Sequence, residues 1–140
     1  MSLWILDTDC LTLWQNEHPV VKQRINQVNY QEIAIAVISV EEQMRGWLNI
    51  IRQSSQSDRL IWAYKGLQDG VEFFQQVNVL EFDQDAYTCY TELLRQRIRI
   101  GTQYLRIGAI AISRNAILVT RNRRDFEKIP GLVFEDWTIE

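Results

Sequence analysis

Ile33-Ala34-Ile35-Ala36-Val37-Ile38 is an unbroken apolar run in which four of the six residues are β-branched. A strand with one wet face alternates apolar and polar side chains. A continuous run of this length is what a parallel strand covered on both faces requires. Shorter runs of the same character lie on either side of it: Leu3-Trp4-Ile5-Leu6, Val79-Leu80-Glu81-Phe82 and Ile117-Leu118-Val119-Thr120. Pro130-Gly131 turns the chain towards an expected edge strand at Val133-Phe134. Helical segments separate these strands, starting near Asp9, Val20, Ser39, Asp58, Asp83 and Gln103. Ser39, Asp58, Asp83 and Thr102 are suited to cap four of them, and Gly101 suits a helix C-terminus. The segment from Gln103 to about Ser113 is apolar nearly all round, which predicts a buried helix. Strands alternating with helices define an α/β protein, a three-layer α/β/α sandwich with a mostly parallel sheet of four to five strands. Residues 1–140 are expected to form one domain.

Composition narrows the chemistry. Hydrophobic residues at 46% and charged residues at 24% are ordinary for a globular protein. No apolar run approaches the ~20 residues that span a bilayer, and no basic segment precedes the first strand, so a cytoplasmic location is expected. Cys10 and Cys89 are too few for a disulfide framework and lack zinc-site spacing. His18, the single histidine, lies beside Pro19 in an apparent loop, which leaves histidine catalysis without support. Gly66, Gly70 and Gly101 match neither phosphate-loop nor dinucleotide fingerprints, and no Gly-x-Ser-x-Gly elbow occurs. The net charge of −3 excludes a broadly basic surface. Local groups of arginine remain: Arg95, Arg97, Arg99 and Arg106, then Arg121, Arg123 and Arg124.

Three acids follow apolar runs. Asp7 closes the first, Glu42 lies one turn beyond the run at 33–38, and Asp125 comes shortly after Thr120. In an open α/β sheet the strand ends converge on one crevice. Carboxylates gathered there repel one another unless a cation or a proton intervenes, so a hard divalent metal is the economical explanation. Each acid also has a purely structural reading. Asp7 or Asp9 can cap the helix that follows, Asp9 being the better placed of the two by sequence. Ser39-Val40-Glu41-Glu42 reads as a capping box, and Asp125 can cap a short turn through Phe126. Asn122 offers a carbonyl oxygen beside Asp125, and Thr120 a hydroxyl able to order a water.

Four segments together resemble the PIN-domain ribonucleases, specifically the VapC toxins of bacterial toxin–antitoxin pairs. They are Ile5-Leu6-Asp7-Thr8-Asp9; Val37-Ile38-Ser39-Val40-Glu41-Glu42 with Gly46 four residues on; Arg99 to Ile107; and Leu118 to Phe126 continuing to Trp137. The resemblance runs through essentially the whole chain. It implies a Mg²⁺- or Mn²⁺-dependent endoribonuclease, a homodimer, silenced by a cognate antitoxin whose arginine-rich tail enters an acidic groove. By the same resemblance Asp7 is the first acid and Glu42 the second, with Gly46 setting the register in favour of Glu42 over Glu41. Asp125 is the acid before the phenylalanine, and in many relatives a further acid occupies the Asn122 position. The implied site is thus Asp7, Glu42 and Asp125 as catalytic acids, with Asn122 joining them around the metal. Arg99, Arg106, Arg121, Arg123 and Arg124 become candidate contacts to RNA phosphates. The third family acid is expected just before Leu105, where this chain has Tyr104. A phenol is a poor ligand for a hard cation. Two readings follow: an endoribonuclease working with three acids, or a PIN domain that has lost catalysis and retains antitoxin or RNA binding.

Overall fold

The computed structural model describes residues 2–139, and in it the run at 33–38 divides in two. Ile33–Ala36 forms strand β2, buried at all four residues, and helix α3 (Val37–Gln53) starts at once. The strand's neighbour β1 (Trp4–Leu6) ends opposite Ile35, and the last pairing of β2 is Ala36 with Leu80 on its other side. The helix therefore begins two residues before the expected Ser39. Ala36 occupies the cap position without a side-chain hydrogen bond, so the expected capping box at Ser39–Glu42 does not form. Both side chains are released for other partners.

The remaining strands are β3 (Asn78–Leu80), β4 (Ile117–Val119) and β5 (Val133–Glu135). All pairings are parallel, in the order β3-β2-β1-β4-β5. The expected edge strand is present, and the sheet is fully parallel across its five strands. Chain order runs outward from β1 in both directions, so the topological switch point lies between β1 and β4. Ligands of open α/β sheets bind at that point, beyond the carboxyl ends of the strands.

Side chains alternate across the sheet as the two-residue strand period demands. Ile5, Ala34, Ala36 and Leu118 join one core with α5 (Gln84–Arg95), α6 (Thr102–Ser113) and α7 (Arg123–Phe126). Leu6, Ile33, Ile35 and Val119 join the other with α1 (Thr8–Gln15), α2 (Pro19–Asn26) and Trp137. That is the expected three-layer sandwich. Helix α6 buries Leu105 and every residue from Ile107 to Ala111, as its all-round apolar sequence predicts. A short 3-10 turn, Tyr30–Glu32, leads into β2.

Helix α4 (Ser57–Phe74) returns along α3. Their contact closes on Gly66, where an added β-carbon would sit 2.4 Å from the Trp47 ring. Trp47 in turn meets Trp62 edge-on at 5.1 Å between centroids. The polar stretch at 54–56 is the turn between these helices. Gln56, not Asp58, holds the cap position of α4, and Asp58 lies inside the first turn. Asp83 caps α5 as expected, its Oδ1 accepting from the Ala86 amide at 3.0 Å. Helix α5 ends at Arg95, and two residues on Arg97 takes a left-handed conformation (φ 57°) that a helix cannot continue through. Gly101 has ordinary negative φ and occupies the cap position of α6, so it begins a helix where the sequence suggested that it ended one.

Candidate active site

At the switch point β1 delivers Asp7 and β4 delivers Thr120, since Leu6 pairs with Val119. Asp7 is 5% exposed. Its carboxylate is fixed from two sides: Oδ1 accepts from the Cys10 amide at 2.8 Å and Oδ2 from the Thr120 hydroxyl at 2.6 Å. Asp7 is therefore the N-cap of α1, the role sequence reasoning favoured for Asp9. The Thr120 hydroxyl accepts in turn from the Asn122 amide at 2.9 Å, so it orients two protein groups. Each carboxylate oxygen has about two acceptor sites and spends one here. The remaining lone pairs are left for a ligand. Burial, partly offset by these two hydrogen bonds, pushes the Asp7 carboxyl above the ordinary carboxylate range.

Glu42 reaches the same place from α3. Its Oε1 accepts from the Thr8 hydroxyl at 2.7 Å. Thr8 Oγ1 also lies 2.8 Å from Ser39 Oγ, and with its proton given to Glu42 it accepts from Ser39. The serine and glutamate freed from the capping box thus form a relay from α3 to α1. Asp9, exposed on the first turn of α1, receives Arg121 through two hydrogen bonds, Nε to Oδ2 at 2.6 Å and Nη2 to Oδ1 at 3.2 Å. The carboxylate beside it raises the Arg121 pKa further above its ordinary value.

These groups line a cleft of about 670 Å³ bounded by Asp7, Thr8, Asp9, Thr12, Glu42, Tyr104, Ile107, Arg121 and Asn122. Asp7, Glu42 and Asn122 of the sequence-derived site share it. Asp125 does not line it. It sits in α7, its Oδ2 accepting from Asn122 Nδ2 at 3.1 Å while its amide donates to Asn122 Oδ1 at 3.3 Å. Among the arginines, Arg121 stands at the rim. Arg106 lies over the Tyr90 ring at 5.4 Å and Arg123 over Phe134 at 5.9 Å, while Arg99 and Arg124 are exposed. Thr8 and Thr12 were not anticipated. The Thr-Asp-Cys stretch immediately after Asp7 carried the signal, since the first turn of a helix starting at a strand exit must face the crevice.

Tyr104 completes the wall from the first turn of α6. Its ring stands edge-on to Phe126, with centroids 5.3 Å apart, and the residue is 38% exposed. Asp7, Asp9 and Cys10 offer ligand atoms within 4.8 Å of one another, a group that does not include Glu42. The Cys10 thiol is wholly buried, its burial pushes its pKa up, and its sulfur is a soft donor of the kind that hard cations do not select. The oxygen donors Asp7, Asp9, Glu42 and Asn122 suit a hard divalent cation.

A parallel sheet with an oxygen-rich cleft at its switch point defines an α/β domain with its ligand site at the carboxyl ends of β1 and β4. No family model matches the chain. Among curated proteins it is 30% identical to a tRNA(fMet)-specific endonuclease VapC of Shigella flexneri, over 99% of this chain and all of that one. Identity to the corresponding Salmonella typhimurium protein is 29%, over 98% and 99% of the two chains. Among solved structures it superposes on the DNA-bound VapBC of Salmonella typhimurium with a TM-score of 0.78 at 28% identity, covering 98% of this chain and 99% of that one. VapBC-1 of nontypeable Haemophilus influenzae gives 0.77 at 25% identity, with the same coverage. The chain belongs to the VapC family of PIN-domain ribonuclease toxins.

Proposed function

We propose that this chain cuts RNA phosphodiester bonds endonucleolytically in the cleft between β1 and β4, with Mg²⁺ or Mn²⁺ held by Asp7, Glu42 and Asn122. The observation that carries the proposal is the doubly anchored, buried Asp7 carboxylate at the switch point, with Glu42 in the same cleft. The ion would activate a water for attack on phosphorus and steady the leaving oxygen. The protein's own part is orientation. Thr120 and the Cys10 amide hold Asp7 so that its free lone pairs face the cleft, and Thr8 holds Glu42. Asp125 acts through Asn122, fixing its amide by the reciprocal pair of hydrogen bonds. Arg121 neutralises Asp9 at the rim, where an approaching phosphate would otherwise meet unopposed negative charge.

The ribonuclease names of the whole-length relatives favour an active enzyme over a silent binding module. The solved neighbours are VapBC complexes, which supports an antitoxin as partner. We infer a homodimer and a cytoplasmic location from the family; no helix among the described residues is long and apolar enough to cross a membrane. The test is cleavage of structured and unstructured RNAs, tRNA(fMet) among them, with Mn²⁺ or Mg²⁺. The protein is expected to cut and Asp7→Asn to fail. Intact RNA with the protein as written, alongside cleavage by Tyr104→Asp, would overturn the enzyme reading.

A further inference from the structure

Apart from Ile107, Tyr104 is the one described residue lining the cleft that brings neither charge nor a hydrogen bond within it, and its surroundings explain what an aromatic residue can do there. Helix α6 begins at Gly101 without a side-chain cap, which brings Tyr104 into its first turn. Phe126, wholly buried, meets the ring edge-on at 5.3 Å and 70°. Gly101, one turn back, carries no side chain that would crowd the ring. The ring thus packs on Phe126 while the residue keeps 38% of its surface open, and Tyr104 lines the cleft with Asp7, Glu42 and Asn122. None of its hydrogen-bonding capacity is spent within the described residues. A half-open aromatic ring backed by a buried phenylalanine beside a phosphodiester site has the form of a stacking platform, because every nucleobase has a π-face and stacking does not require a particular edge.

We propose that Tyr104 is a positioning residue that stacks a nucleobase next to the scissile phosphate, so that this chain grips its substrate by a base where an acid at that position would grip it through metal. The inference rests on RNA being the substrate. It assigns the work to the ring and gives the hydroxyl no essential part. Holding the base also fixes the flanking sugar–phosphate relative to Asp7 and Glu42, so the ring acts on binding first and on turnover through alignment.

The test separates ring from packing and substrate from platform. Asp7→Asn protein, which binds without cutting, is titrated in Mn²⁺ with a fluorescent RNA containing one cleavage site and with the same RNA carrying an abasic nucleotide on either side of the cut. One of the two abasic RNAs is expected to bind at least ten-fold more weakly. In Asp7→Asn/Tyr104→Leu, where leucine still fills the space against Phe126, that penalty should vanish, and in Asp7→Asn/Tyr104→Phe it should persist. In the cleaving protein Tyr104→Phe should keep KM near its starting value, while Tyr104→Leu raises it. An equal abasic penalty with tyrosine and leucine, or loss of the penalty with phenylalanine, overturns the platform while leaving RNA as substrate. Failure of every protein to bind RNA overturns the substrate reading and the platform with it.

Discussion

Two walls of one cleft are built on opposite principles. On the β1/β4 side the carboxylate of Asp7, the hydroxyl of Thr120 and the amide of Asn122 are linked in series, each group oriented by the next. On the α6 side the helix starts without a side-chain cap, and an aromatic ring packed on Phe126 fills the wall. The first wall fixes charge in position and the second presents surface. Charge that must be buried requires an interlocked set of partners, whereas an exposed ring needs only packing behind it. The first wall should therefore be brittle to substitution and the second tolerant.

The largest effect should come from Asp7→Asn. Asparagine caps a helix as well as aspartate does, so the fold should survive while cleavage falls about a thousand-fold, equivalent to about 4 kcal/mol of transition-state stabilisation. Single-turnover assays at saturating Mn²⁺ read this directly, and a loss below ten-fold would mean that the first wall does not carry the chemistry.

Thr120→Val should come next. Valine nearly matches threonine in shape but leaves Asp7 Oδ2 and the Asn122 amide without their partner. Each buried group left unsatisfied costs about 1–3 kcal/mol. Urea unfolding should show a loss of roughly 2–4 kcal/mol, and a loss under 1 kcal/mol would dissolve the contrast between the walls.

Tyr104→Asp tests the tolerant wall. Losing the edge-on ring pair costs about 0.5–1.5 kcal/mol. A carboxylate in the first turn of α6 recovers about 0.3–1 kcal/mol from the helix dipole. Stability should hardly move, while Mn²⁺ affinity by calorimetry should rise about ten-fold and RNA affinity should fall. A rise in both affinities would break the comparison from the other side.

The smallest expected effect is a pH trend. The Asp7 carboxyl binds its proton more tightly in the folded than in the unfolded protein. Where the folded state binds more protons, stability falls as pH rises. Without divalent cation, the stability contributed by protonated Asp7 should be full below the unfolded value near ~3.9 and lost as pH climbs through the raised folded value. Asp7→Asn should lack that decline, and its advantage over the parent should level off above the window. Adding Mn²⁺ should stabilise the parent more than the variant, because ligation stabilises whichever state binds.

The legibility of these features in the sequence follows the same division. Parallel strands and the buried α6 were readable because their unbroken apolar runs have no other use. The start of α3 was not. Val37 and Ile38 extend the β2 run without a break, and the run itself does not show that both neighbouring strands end by Ala36. That two-residue difference turned Ser39 and Glu42 from a local capping pair into a link with Thr8. Asp7 was readable as an acid at a strand exit, but the cap it provides was assigned by preference to Asp9, since a strand exit can supply both roles to one carboxylate. The hydrogen bond that makes Thr120 part of the site joins residues 113 positions apart, beyond the reach of any local pattern.

That same separation bears on the protein's synthesis. β1 is the central strand, yet its neighbour β4 and the residues Thr120 to Asn122 are made more than a hundred residues later. At about 5–20 residues per second, a nascent chain carries Asp7 for on the order of ten seconds before its anchoring partner exists. The link between β1 and β4 that orients Asp7 can therefore form only after more than a hundred further residues have left the ribosome.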